Sequence, residues 1–163
     1  VEKKERFGDL EIDLIIGVGH KGPLLTINDR ATGVLKMGQI ENKEAKTIED
    51  TAVRLLQDWL PFIFTVTSDN GKEFADHRAM AEQLNIDFFF EKPYHSRERG
   101  GADENLNGLV RQYFPKKNNF DLIEKEQVEK IVNNRPRKRF GYRTPEEVFV
   151  NAINNNGIVA LLT

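Results

Sequence analysis

Three acids in this 163-residue chain, Asp13, Asp69 and Glu104, sit where carboxylates have consequences. Asp13 interrupts the apolar run Ile12-Asp13-Leu14-Ile15-Ile16, and a lone carboxylate is costly to bury there without a partner or a metal. Asp69, in Thr67-Ser68-Asp69-Asn70-Gly71, follows an expected strand, at the sheet edge where α/β proteins collect ligands. Glu104 opens an expected helix after Gly100-Gly101. Each also has a plain structural reading: a solvated strand acid, a turn aspartate, and an acid complementing a helix dipole. Brought together, the three repel. Two unit charges about 4 Å apart cost about 1 kcal/mol in water and about 4 kcal/mol at an effective dielectric of 20. Such a cluster needs divalent cations, and oxygen ligands without thiolates or paired imidazoles select Mg²⁺, with Mn²⁺ as a substitute. His20, His77 and His95 lack helical metal spacing; His77 is expected to be structural, and His95 is a minor candidate for a DNA or metal-shell contact.

The elements that would position these acids can be read from periodicity. Leu10 to Val18, Leu24 to Ile27 and Val34 to Ile40 read as three strands joined by short turns, hence an antiparallel meander. Ala45, Ile48, Ala52, Leu55, Leu56 and Trp59 form one helical face, with Asn42 as its expected cap and Pro61 as its stop. Phe62 to Thr67 reads as a strand, Phe74 to Leu84 as a helix and Ile86 to Phe90 as a fifth strand. Helix–strand alternation after the meander favours parallel additions to the sheet. Leu106, Leu109, Val110, Tyr113 and Phe114 mark a further helix ending before Pro115, with Glu104, Gly108 and Arg111 at i, i+4 and i+7 on the opposite face and Asn107 beside them. Glu124 to Asn133 follows as a helix, Arg135 to Arg143 as a basic loop, and Thr144-Pro145-Glu146-Glu147 as a helix start. The expected fold is α/β and ribonuclease-H-like: a five-stranded mixed sheet, an antiparallel three-strand meander plus two parallel strands, flanked by helices.

Composition narrows the classes. With no cysteine, the chain has no disulfide framework, thiolate zinc site or thiol nucleophile, and it suits a reducing, cytoplasmic setting. Its longest apolar runs are far shorter than the ~20 residues of a membrane-spanning helix, and no leader pattern stands at the start. The net charge of −2 hides an asymmetry: 11 basic against 17 acidic residues over 1–91, and 13 against 9 over 92–163. An acidic half beside a basic half suits a metal site next to a phosphate-binding surface.

Five stretches carry a resemblance: Gly8-Asp9-Leu10-Glu11-Ile12-Asp13-Leu14-Ile15-Ile16-Gly17; Thr67-Ser68-Asp69-Asn70-Gly71-Lys72-Glu73-Phe74; Glu98-Arg99-Gly100; Glu104 to Lys116; and Asn133 to Arg139 with Gly141-Tyr142-Arg143-Thr144-Pro145. In this order they resemble the catalytic domain of DDE transposases, nearest to the insertion-sequence-thirty family of the retroviral-integrase superfamily. The likeness runs from about Gly8 to Phe149. It implies that Asp13, Asp69 and Glu104 are the catalytic, metal-binding triad, with two Mg²⁺ ions, and that Arg111 is the basic residue seven after the glutamate. Leu10 stands where the family usually has an aromatic, and Asp103 where it more often has Asn, so Asp103 competes with Glu104 as ligand.

The expected function is Mg²⁺-dependent cleavage and strand transfer of DNA in a bacterial setting. The alternatives are a nuclease that only hydrolyses, or an inactive DNA-binding or oligomerisation module. Asn107, Arg111, Lys116, Arg135, Arg137, Lys138 and Arg139 are the expected DNA contacts, holding phosphates without reading sequence. Residues 1–150 are expected to form the catalytic core and 151–163 a tail, with the family's helix-turn-helix region outside this chain. The partners implied are DNA ends, target duplex and further copies of the protein in a synaptic assembly.

Overall fold

The structure is a computed structural model that describes residues 6–17, 23–68, 74, 77–90, 102–115, 120 and 124–155, except the side chains of 102–105. Five strands form one sheet: β1 (Asp9–Ile15), β2 (Leu24–Asp29), β3 (Leu35–Gln39), β4 (Thr65–Ser68) and β5 (Asp87–Phe90). Their order is β3-β2-β1-β4-β5, with β1–β2 and β2–β3 antiparallel and β1–β4 and β4–β5 parallel. The expected mixed sheet, a meander extended by two parallel strands, is the one observed. The helices are α1 (Ala45–Leu56), α2 (His77–Leu84), α3 (Ala102–Tyr113), α4 (Lys125–Asn133) and α5 (Pro145–Asn155).

Alternation along β1 divides the core. Leu10 and Ile12 point into a layer that holds Ile48, Ala52 and Leu56 of α1, Met80 and Leu84 of α2, and Phe149 of α5. Ile15 points to the other layer, built from Leu106 and Val110 of α3, Val128 and Val132 of α4, and Phe114 and Phe120. Asp13 shares the α3–α4 face with Ile15. The sheet is therefore sandwiched, and burial on both faces accounts for the weak alternation of its apolar runs.

Buried Asp29 organises the start of the meander. Its Oδ1 accepts the Thr32 amide at 2.7 Å and the Thr32 hydroxyl at 2.8 Å, and its Oδ2 accepts the Gly8 amide at 2.7 Å. Burial nonetheless pushes its carboxyl above the usual range, against the pull of these donors. Gly8 has φ +91°, and a Cβ there would lie 2.0 Å from the Phe62 carbonyl oxygen, so only glycine fits.

Several boundaries differ from expectation. β1 ends at Ile15, and β4 begins at Thr65 because Gln57–Phe62 winds as a 3-10 turn that includes Pro61 and buries Trp59 and Phe62. Pro61 thus sits inside a second helical segment; α1 itself stops at Leu56. Asn42 does not cap α1: Glu44 holds the cap position, and the Asn42 side chain instead accepts the Glu44 amide at 2.9 Å. The helix start at Thr144 is a reciprocal capping box. The Glu147 amide donates to the Thr144 hydroxyl at 3.1 Å, and the Thr144 amide donates to the Glu147 carboxylate at 2.8 Å.

Candidate active site

Asp13 is half-buried in the central strand. Its Oδ1 accepts the Leu14 amide at 2.7 Å, and its Oδ2 accepts Nδ2 of Asn107 at 2.7 Å. Four residues along α3, Arg111 donates from Nη1 to the Ile16 carbonyl at 2.9 Å. Burial lowers the hold of Arg111 on its proton, and the Asp13 charge opposes that effect. α3 therefore crosses the end of β1 with Asn107 and Arg111 facing the strand, while Leu106 and Val110 fill the core beside it. Glu104 lies one turn before Asn107, on the same stripe of α3. Its side chain, and that of Asp103, lie outside the described residues.

β4 delivers the chain to the same edge of the sheet. Its last residue, Ser68, pairs with Ile12 in parallel register. Asp69 comes next in sequence and lies outside the described residues, as do Lys116, His20 and His95. Among the described residues, no three potential metal ligands form a group. Asp13 supplies hard carboxylate oxygen, the donor type that suits Mg²⁺ or Mn²⁺.

The basic loop lies beside α3, where Arg135 Nη1 donates to Oε1 of Gln112 at 3.2 Å and Arg137 Nη2 donates to the Val132 carbonyl at 3.2 Å. Lys138 is exposed, and the Arg139 guanidinium lies 4.4 Å from the centre of the Phe140 ring. His77 is structural: Nδ1 lies 3.1 Å from the Phe74 carbonyl, and the ring meets Phe90 edge-on at 4.6 Å. Gly108 is exposed, with nothing within 4 Å of a Cβ placed there, so no protein neighbour requires glycine.

Asn107, expected above as a DNA contact, holds Asp13 in the structure. The spacing Asn107/Arg111 at i, i+4 was the available signal, because both must then face the same strand. Asn28 and Gly33 join the basic loop around a cleft, with no local sequence signal for it.

Sheet order and helix placement define the ribonuclease-H-like fold of integrase catalytic cores. The catalytic core domain of BIV integrase superposes with a TM-score of 0.69, covering 91% of this chain and 97% of that one at 18% identity. No protein-family model matches the chain. It is 53% identical over 161 residues to the transposase for insertion sequence element IS4351 of Bacteroides fragilis, covering 97% of this chain and 49% of that protein. It is 30% identical over 154 residues to transposase InsI for insertion sequence element IS30C of Escherichia coli K12, covering 91% of this chain and 39% of that protein. In sequence the chain belongs with the transposases of IS30-like insertion elements, and it spans half or less of the length of these relatives.

Proposed function

We propose that this chain is the metal-dependent catalytic core that cuts and joins DNA strands in transposition. The observation that carries the reading is the Asp13–Asn107 hydrogen bond. It ties the central strand to the helix stripe that bears Glu104, two chain segments 94 residues apart. Asp13, Asp69 and Glu104 would hold two Mg²⁺ ions, with Asp103 as the rival ligand beside Glu104. Bound there, the ions supply Lewis acidity and lower the pKa of an attacking water or 3′-hydroxyl.

The chain's own residues supply the rest. Asp13 is oriented by the Leu14 amide and the Asn107 side chain, so its carboxylate has a fixed direction at the sheet edge. Arg111, fixed on the Ile16 carbonyl, places a guanidinium near the same point, where a phosphodiester carries its charge. Water attack would nick an element end, and 3′-hydroxyl attack would join that end to target DNA. Lys116 and the 135–139 loop would add phosphate contacts, and pairing of two ends calls for more than one copy of the protein.

The test uses labelled element-end duplex with Mg²⁺ or Mn²⁺, scored separately for nicking and for joining to a second duplex. Asp13→Asn, Asp69→Asn and Glu104→Gln are each expected to lower both by at least about 100-fold. Full activity in all three variants would falsify the assignment. Hydrolysis without joining would identify a nuclease instead.

A further inference from the structure

The two edges of the sheet are treated differently. At β3, Asn133 and Glu129 of α4 bond the backbone of Leu35 and Met37. β5 forms the other edge, and no described strand lies beyond it. The Asp87 amide donates to the Phe64 carbonyl at 3.3 Å, with Asp87 opposite Thr65 in parallel register. Successive residues of a strand turn their backbone groups to alternate sides, so Asp87 and Phe89 spend theirs on β4. Phe88 and Phe90 therefore aim theirs outward. Phe88-Phe89-Phe90 also lacks the devices that keep an edge single, since it holds no proline and no charge.

The side chains agree with the backbone. Phe88 and Phe90 lie on the α2 face, where His77 meets Phe90 edge-on and the two phenylalanine rings sit 5.4 Å apart. Phe90 is still 36% exposed. Phe89 lies on the opposite face, which α3 and α4 cover over Leu24, Leu35 and Met37 of β2 and β3. Phe89 stands outside that cluster and is 45% exposed.

We propose that β5 pairs antiparallel with β5 of a second copy, about a two-fold axis at Phe89. In that register Phe88 of each copy faces Phe90 of the other, and their outward amides and carbonyls form four hydrogen bonds. Phe89 faces its own counterpart in the non-hydrogen-bonded position, where side chains are closest. Opposite residues of an antiparallel pair share a face, so rings meet rings on both sides of the joint. The edge is self-complementary, and the occupied β3 edge makes the assembly end at two copies. The exposed parts of Phe89 and Phe90 amount to less than one whole phenylalanine, about 150–200 Å² per copy. A stable interface buries about 1,200–2,000 Å² in total, so this pair is weak, with a Kd of about 100 μM. The pairing rests on the strand edge alone and holds whether or not the core cuts DNA.

The test is sedimentation equilibrium of the 163-residue chain, without DNA or metal, from about 10 to about 500 μM. A monomer–dimer equilibrium is expected. Phe89→Lys removes the ring contact and sets like charges opposite each other, and is expected to raise Kd at least about tenfold. Ile131→Lys on α4 and Val150→Lys on α5, at sites about as exposed as Phe89, are expected to leave it unchanged. Circular dichroism checks folding. Phe89→Cys gives an independent reading in a chain that has no cysteine. Paired Phe89 positions hold their Cα atoms about 4.5 Å apart, within the span that a disulfide bridges. Oxidised glutathione should cross-link this variant at least about ten times faster than Tyr142→Cys, whose site is 72% exposed. A chain that stays monomeric at every concentration would overturn the proposal. So would dimers that Ile131→Lys or Val150→Lys disperses and Phe89→Lys spares, since a helix face would then be the interface. Equal cross-linking of the two cysteine variants would overturn it as well. Neither DNA nor metal enters these measurements, so their outcome is independent of the Asp13, Asp69 and Glu104 test.

Discussion

The Asp13 carboxylate has each oxygen engaged by a donor from a different element, which fixes its orientation before any ion arrives. Asn107 is therefore a positioning residue for Asp13. Asn107→Ala is expected to lower stability in urea by about 1 kcal/mol, the usual size for a hydrogen bond to a partly solvated charged group. In an Asp13→Ala background most of that loss should disappear, giving a coupling energy of similar size in a double-mutant cycle. Additive effects would show that the 2.7 Å contact carries no energy of its own.

At the scale of elements, α4 does more than fill the core. Its Asn133 side chain pairs with both backbone groups of Leu35: Oδ1 accepts the amide at 2.8 Å and Nδ2 donates to the carbonyl at 2.8 Å. Glu129 accepts the Met37 amide at 2.7 Å. Asn133 is buried, so Asn133→Ala is expected to cost about 2 kcal/mol by leaving two strand groups unsatisfied, as thermal or urea unfolding would show. Burial raises the Glu129 carboxyl above its ordinary value, with the Met37 amide and Lys36 opposing the shift. A carboxyl raised in the folded state holds its proton better there than in the unfolded chain. Its contribution to stability is full below the ordinary carboxyl value and fades as pH climbs through the raised one. Glu129→Gln keeps the acceptor and removes the titration. Its stability relative to the parent should therefore rise over that window, and a flat difference across pH would refute the account.

For the whole molecule, the meander, the parallel additions and the placement of Asp13 were legible because period-2 and period-3.6 patterns survive in the sequence. Helix limits were less so. Pro61 reads as a stop, yet the chain continues through it in a 3-10 turn because Trp59 and Phe62 gain burial against Phe149, far along the chain. The Glu129–Met37 contact was illegible for the same reason, since tertiary pairings leave no local period, and the Asn107/Arg111 spacing marked a shared helix face without naming Asp13 as its partner. Phe7, Trp59, Phe62 and Phe149 stack with ring centres 5.0–6.2 Å apart and tie the first strand's approach to the last helix. Phe149→Ala is expected to cost about 3–4 kcal/mol and to red-shift the fluorescence of Trp59, the sole tryptophan. An unshifted emission would place the tryptophan elsewhere.

Asn133 and Glu129 have a consequence for how copies of this protein can meet. The outermost strand of the meander already has part of its outward backbone occupied by side chains of its own chain. A second copy could not zip onto it without first displacing α4, so merging two sheets along that border is blocked. Complexes of this core that join at other surfaces leave that border, and with it the footing of the helix layer behind Asp13, undisturbed.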